Sequence, residues 1–269
     1  MKKTSAIILI IVILLQIFFP IIPKEVFAIG EEEESTETTR NYEIPETKEW
    51  DFSANGDGSV KGVWTRSNRT LVISGTGNMK DWTDDEVDNR SSIDSAIYEN
   101  LIEKVIIKDG ITTIGDYAFK YCYSLTQIEI PEGVTSIGDS AFSRCSCLTQ
   151  IEIPESVTSI GSWAFYPCDS LTEIDVDINN KNYTSEGGVL FNKDKTKIIK
   201  YPEGKLDNNY QVPEGVTSIG KGAFDNCRSL LQIEIPGSVT RIEDHAFEKC
   251  SSLTQIEIPS SVTSIENYA

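Results

Sequence analysis

From Leu125 the chain reads LTQIEIPEGVTSIGDSAFSRC, and its apolar positions follow two rhythms. In LTQIEIP, Leu125, Ile128 and Ile130 face inward while Gln127 and Glu129 face out, the period-2 pattern of a half-buried strand. Pro131 lacks the N–H that a ladder needs and ends the strand. Val134 and Ile137 point inward from a second, shorter extended arm, and Gly138 permits the bend after it. DSAFSRC is too short for an independent helix. It is expected to make one short helical turn that places Ala141, Phe142 and Cys145 in the core. Such a unit is a thin apolar slab that only a neighbouring slab can cover.

The slab is repeated. Ile-Glu-Ile-Pro ends at Pro131, Pro154, Pro236 and Pro259, with a step of 23 residues within each pair. Ala-Phe recurs with Phe119, Phe142, Phe165, Phe224 and Phe247, and the gap of 59 between Phe165 and Phe224 is 23 plus 36, so one unit is longer. A fixed period in this range is the mark of a leucine-rich-repeat solenoid. Units start near Ile102, Leu125, Leu148, Leu171, Asp207, Leu230 and Leu253, with VIIKDGITTIGDYAF (105–119) inside a degenerate first copy. The predicted fold is a β-rich α/β solenoid over 102–269. A parallel sheet lies on one side, with strands roughly 5 Å apart, and short helical turns lie on the other. In the long unit, the apolar Val189-Leu190-Phe191, the turn-like NKDKTK and then IIKYP predict an inserted β-hairpin over about 184–205.

Ahead of the solenoid, residues 49–101 carry Trp50, Trp64, Trp82 and the alternating TLVIS. They read as a β-rich N-terminal cap over the first slab, with DWTDDEVDNR (81–90) as an exposed acidic loop. Residues 29–48, with four consecutive glutamates, read as an acidic disordered linker. Residues 1–28 read as a signal peptide: Lys2 and Lys3, an apolar run from Ala6 to Ile22, and Val26-Phe27-Ala28 before the cleavage point. An uncleaved anchor competes, because the run is near spanning length; Pro20, Pro23 and Ala28 favour cleavage. The expected location is secreted or cell-surface, with no membrane contact beyond this segment.

These strings resemble a known family. LTQIEIPEGVTSIGDSAFSRC, the inserted GVLFNKDKTKIIKYPEG and the upstream TLVISGTGNMKDW are similar to the BspA-like leucine-rich repeats over roughly residues 60 to 269. The resemblance implies an exported bacterial surface or secreted protein, of a family several of whose members are implicated in adhesion. It carries over no catalytic residue. The expected function is a non-enzymatic binding scaffold that recognises a protein or glycan on a host or neighbouring cell. The alternative is an accessory repeat region of a larger surface protein, since Ala269 aligns with Ala246 and the last repeat is incomplete.

Charge narrows the partner class. With 42 acidic and 24 basic residues the formal charge is −18, a field that repels phosphate backbones and argues against nucleic acid.

The repeated polar residues admit chemical readings. Cys122, Cys145, Cys168, Cys227 and Cys250 each follow the repeat phenylalanine by three positions. Metal binding or inter-repeat disulfides are conceivable on export, but parallel side chains without C-x-x-C pairing fit buried, unreactive thiols better. Cys147 stands off the pattern as a lone thiol near the surface. Glu129, Glu152, Asp175, Glu234 and Glu257 form an outward acidic ladder. Calcium or a basic partner would relieve its repulsion, yet ligand spacing for calcium is missing, and a soluble sheet face is the plainer reading. His245, the one histidine, shares its slot with Tyr117, Ser140, Trp163, Gly222 and Tyr268, so it reads as no general base. ISGTGNMK and ANGDGS read as turns rather than dinucleotide or calcium loops. Catalytic, cofactor and metal residues are therefore all expected to be none. The candidate contacts are the aromatics of the variable slot and its edge, namely Tyr117, Tyr121, Tyr123, Trp163, Tyr166, His245 and Tyr268, a residue type enriched in hot spots.

Overall fold

The computed structural model describes residues 45–83, Glu86 and residues 100–269. The leader (1–28), most of the linker and most of the 81–90 loop lie outside the described residues. The described residues begin with an antiparallel meander: Thr47–Asp51, Val60–Thr65 and Thr70–Gly75. Alternation does the work here. Val60 and Trp64 are buried on one strand, Leu71 and Ile73 on the next, and all four join the same apolar core as the first repeats. Thr70–Gly75 then pairs in parallel with Lys104–Ile107, with Leu71 opposite Val105 and Ile73 opposite Ile107, so the meander continues directly into the solenoid sheet.

Each repeat has three sides. The Ile-Glu-Ile arms form the first: Lys104–Ile107, Gln127–Glu129, Gln150–Ile153, Glu173–Val176, Asn209–Gln211, Gln232–Glu234 and Gln255–Ile256. The second arms are strands too, among them Ile111–Ile114, Ser136–Ile137, Ser159–Ile160, Ser218–Ile219, Arg241–Ile242 and Ser264–Ile265. The pairings between repeats are parallel, with Ile151 opposite Ile174, Ile137 opposite Ile160 and Ile219 opposite Ile242. A side-chain ladder reinforces the register. Thr135, Thr158, Thr172, Thr240 and Thr263 each donate Oγ1–H to a carbonyl 23 residues earlier, at 3.1–3.2 Å.

The third side differs from the helical turn expected of it. No residue between 102 and 269 is helical. The slot before Ala-Phe is left-handed in all six units that carry it, with φ of 55° at Tyr117, 52° at Ser140, 59° at Trp163, 59° at Gly222, 56° at His245 and 55° at Tyr268. A residue in that region cannot propagate a right-handed helix. It turns N–H groups along the solenoid axis instead, where Tyr117 N–H donates to Asp139 O at 2.9 Å, Phe119 N–H to Ala141 O at 2.8 Å and Tyr121 N–H to Ser143 O at 2.9 Å. The third side is therefore hydrogen-bonded to its neighbour, as the two sheets are. Gly138 owes its identity to this closeness: a Cβ there would fall 2.5 Å from Asp116 N.

Inside, Phe119, Phe142 and Phe165 stack with centroids 5.5 and 5.8 Å apart. Tyr201 takes the ring position in the long unit, and Tyr201, Phe224 and Phe247 continue at 5.2 Å each. The inserted segment is a three-stranded antiparallel piece, Tyr183–Glu186, Val189–Asn192 and Lys197–Lys200, whose last strand pairs in parallel with Ser218–Ile219. It belongs to the core. Leu190 packs with the apolar cluster of the preceding units, and Val189 and Phe191 with that of the following ones. The first-side sheet is interrupted between Gln127–Glu129 and Gln150–Ile153, and again between Glu173–Val176 and Asn209–Gln211.

Candidate functional site

The seven candidate aromatics form two groups. Tyr117, Tyr121 and Tyr123 lie in the first full unit. Lys120 Nζ sits 5.2 Å from the Tyr117 ring and 4.8 Å from the Tyr121 ring, and Arg144 5.5 Å from the latter. These are cation–π distances. The second group spans the long unit. Trp163 lies 5.0 Å from Tyr166 and 5.5 Å from His245, and His245 stacks on Tyr268 at 5.0 Å. Ser140 separates the groups. The slot is half-buried rather than freely exposed, except at Tyr268, which is 77% exposed. His245 Nδ1 is hydrogen-bonded to Glu248, whose carboxyl is held below its ordinary range chiefly by that bond.

Trp163 reaches His245 across two units, and Gly222 occupies the one slot between them. A Cβ at Gly222 would fall 2.3 Å from the indole Cζ3, and its φ of 59° favours glycine as well. In the long unit the residue two before the ring is Ile199, which lies in the strand Lys197–Lys200 and is not left-handed. The third side of that unit is Lys200-Tyr201-Pro202-Glu203, with Tyr201 N–H bonded to Ala223 O at 2.8 Å. Beside Ile199 and Gly222 lies a recess of about 260 Å³. Trp163, Tyr166, Tyr183, Ile199 and the lysines Lys197, Lys200 and Lys221 line it.

Below the recess lies a buried charge cluster. Lys200 and Glu203 pair at 2.7 Å with side chains 8% and 1% exposed, and Glu203 also accepts from Cys168 N–H at 2.7 Å. Burial pushes the Glu203 carboxyl up against the pull of Lys200. Asp225 is 1% exposed, and neither of its oxygens has a hydrogen-bond partner. Burial raises its pKa to about 6 despite Lys249 and Lys200 nearby. Two contacts cross over the short turn of the long unit: Lys249 Nζ donates to Tyr166 Oη at 2.8 Å, and Asn226 Nδ2 to Asp169 at 2.9 Å. None of these charged residues stood out in the repeat pattern. The one available signal was Gly222, a glycine in a slot otherwise filled by side chains.

The remaining candidates are placed as follows. Cys122, Cys145, Cys168 and Cys227 are buried, Cys250 is partly buried, and Cys147 is exposed. Cys145, Cys168 and Cys250 donate to the carbonyls of Phe119, Phe142 and Phe224 at 3.3, 3.1 and 3.0 Å. Burial raises their pKa values, that of Cys250 to about 11, so they are poor thiolates. Phe119, Phe142, Phe165 and Phe224 are buried and Phe247 partly so. In the acidic ladder, Glu129 pairs with Lys104 at 2.5 Å, and Asp175 stands beside Glu152 in register. Glu234 faces Gln211 of the long unit, so the ladder is interrupted there. Among the described residues no group of three or more His, Cys, Asp or Glu side chains is arranged to hold a metal ion.

The fold and its repeats have counterparts. The family model for the BspA type leucine rich repeat region matches six copies over residues 91–207 and 201–269. No curated protein matches the chain. Among solved structures, a leucine-rich repeat protein from Eubacterium ventriosum is 31% identical over 82% of this chain and 68% of its own, with a TM-score of 0.53. The pneumococcal vaccine antigen PcpA is 29% identical over 60% of this chain, with a TM-score of 0.58, and this chain spans only 40% of its length. With the repeat model covering more than half of its residues and the same three-sided unit running through the structure, the chain belongs to the BspA-type leucine-rich-repeat family.

Proposed function

We propose that this protein is an exported, non-enzymatic recognition scaffold that binds a protein or glycan partner at a cell surface through the aromatic edge of its third side. One observation carries this reading: Tyr166, Trp163, His245 and Tyr268 gather into a continuous aromatic row, although they come from three different repeats. Half-buried rings held on a hydrogen-bonded scaffold lose little side-chain entropy on binding, which favours them as anchors. The meander from Thr47 to Gly75 serves as the cap of the first slab, and residues 1–28 direct export.

The test is binding of the protein to immobilised host-matrix proteins and glycans, compared with Tyr268→Ala. Because Tyr268 is largely exposed, its removal should weaken capture at least tenfold at unchanged melting temperature. Equal capture by both proteins would overturn the assignment of this edge.

A further inference from the structure

We propose that the recess beside Trp163 is a subsite for a single acidic sugar residue of the hexuronic acid class. This rests on the reading of the chain as a recognition scaffold and specifies one ligand for it. The recess lies beside the long unit, where Ile199 sits in an extended strand instead of a left-handed slot and Gly222 withholds a side chain. Its volume of about 260 Å³ is slightly below the range usual for small-molecule pockets, which suits one ring rather than an oligosaccharide.

The chemistry of the lining selects the ligand. Lysines contribute all of its formal charges, on a chain whose net charge is −18. Lys197 is held by both oxygens of Glu243, at 2.7 and 2.8 Å, and Lys200 by Glu203. Lys221 N–H donates to Glu243 at 3.1 Å, but among the described residues its ammonium pairs with no carboxylate, and Nζ stands 5.6 Å from the centre of the Trp163 ring. One uncommitted ammonium matches one carboxylate. The hydroxyls add donors: Tyr183 Oη accepts from Ile160 N–H at 3.0 Å and Tyr166 Oη accepts from Lys249, so each keeps its own O–H to give. A wall rich in donors calls for a ligand rich in acceptors. Trp163 and Ile199 supply apolar surface for the C–H face of a pyranose. Hydroxyls, ring oxygen, carboxylate and a flat apolar face occur together in a uronic acid. An acidic amino-acid side chain offers only the carboxylate.

The experiment titrates the protein with glucuronate, glucose and glutamate and follows the Trp163 indole resonance by NMR. Glucuronate should shift it saturably, with glucose and glutamate at least tenfold weaker. Lys221→Ala should lose glucuronate binding at least tenfold at unchanged melting temperature, and Trp163→Phe should retain part of it by saturation transfer. Equal binding by Lys221→Ala, or no saturable shift with glucuronate, overturns the subsite. Glutamate binding as tightly as glucuronate overturns the sugar assignment in favour of an acidic peptide side chain. If Tyr268→Ala still weakens partner capture while glucuronate fails to bind, the subsite alone is lost and the aromatic edge stands.

Discussion

Residues 102–170 and residues 171–227 solve one packing problem by different means. In the first stretch each apolar slab meets a near copy of itself: ring on ring, thiol on carbonyl, threonine on carbonyl, each one repeat from its equivalent. Polar groups on the sheet faces stay outside. In the second stretch a unit with a different outline must meet the same neighbours. Tyr201 replaces the phenylalanine, and charged side chains fill space that a copy of the slab would have filled with apolar atoms. Repetition gives stability without individuality, whereas the irregular unit concentrates what is specific to this molecule. The buried Lys200–Glu203 pair lies there, and Tyr183, Lys197, Ile199 and Lys200 of that unit form one wall of the recess.

That contrast can be broken by mutation. The largest effect should follow Phe142→Ala, which removes a ring stacked on both sides and costs about 3–5 kcal/mol. Phe247→Ala, at a partly buried position, should cost roughly half as much. Denaturant titration with two probes, one in each stretch, measures both, and equal losses would show that ring stacking does not grade with burial. Next comes Glu203→Ala, which strands Lys200 in the interior and should cost about 3 kcal/mol. Adding Lys200→Met should recover most of that loss, because an apolar pair suits the site better than half an ion pair. Failure to recover would mean that the Glu203 bond to Cys168 N–H carries the effect.

The smallest effect is on pH dependence. Asp225 has a raised pKa, so the folded state holds its proton more tightly than the unfolded chain. Its contribution is least unfavourable below the ordinary value of 3.8, worsens as pH rises, and reaches its full cost above about 6. Asp225→Asn should therefore stabilise the protein at pH 7 by on the order of 2 kcal/mol and change little at pH 3.5. Melting curves at the two pH values give the difference, and a gain of equal size at both would reject burial of charge as its cause.

Most of the solenoid was legible in the chain because a repeated unit repeats its signal. The inward positions Leu125, Ile128, Val134, Phe142 and Cys145 each recur, so period and facing follow from alternation alone. The left-handed slot was hidden, since Tyr, Ser and Trp are poor markers of positive φ; the structure imposes it through bonds to the next unit, which propensity does not register. The candidate site was half legible. Its aromatics were visible as departures from the repeat. The recess depends on Trp163, Tyr183, Lys200 and Gly222 meeting, and nothing in their separate contexts announces that. A pattern that assigns lysine to the surface also hides a lysine such as Lys200, buried beside its glutamate.

The threonine ladder has one further consequence. Each Oγ1 bond ties a unit only to its predecessor, and the acceptor is a backbone carbonyl that any unit provides. Duplicating or deleting a whole unit in the gene would leave every remaining threonine with a chemically identical acceptor. Length is thus a property that recombination can alter without refolding the rest. The long unit occurs once, and it would act as a fixed landmark from which such growth or shortening could be measured.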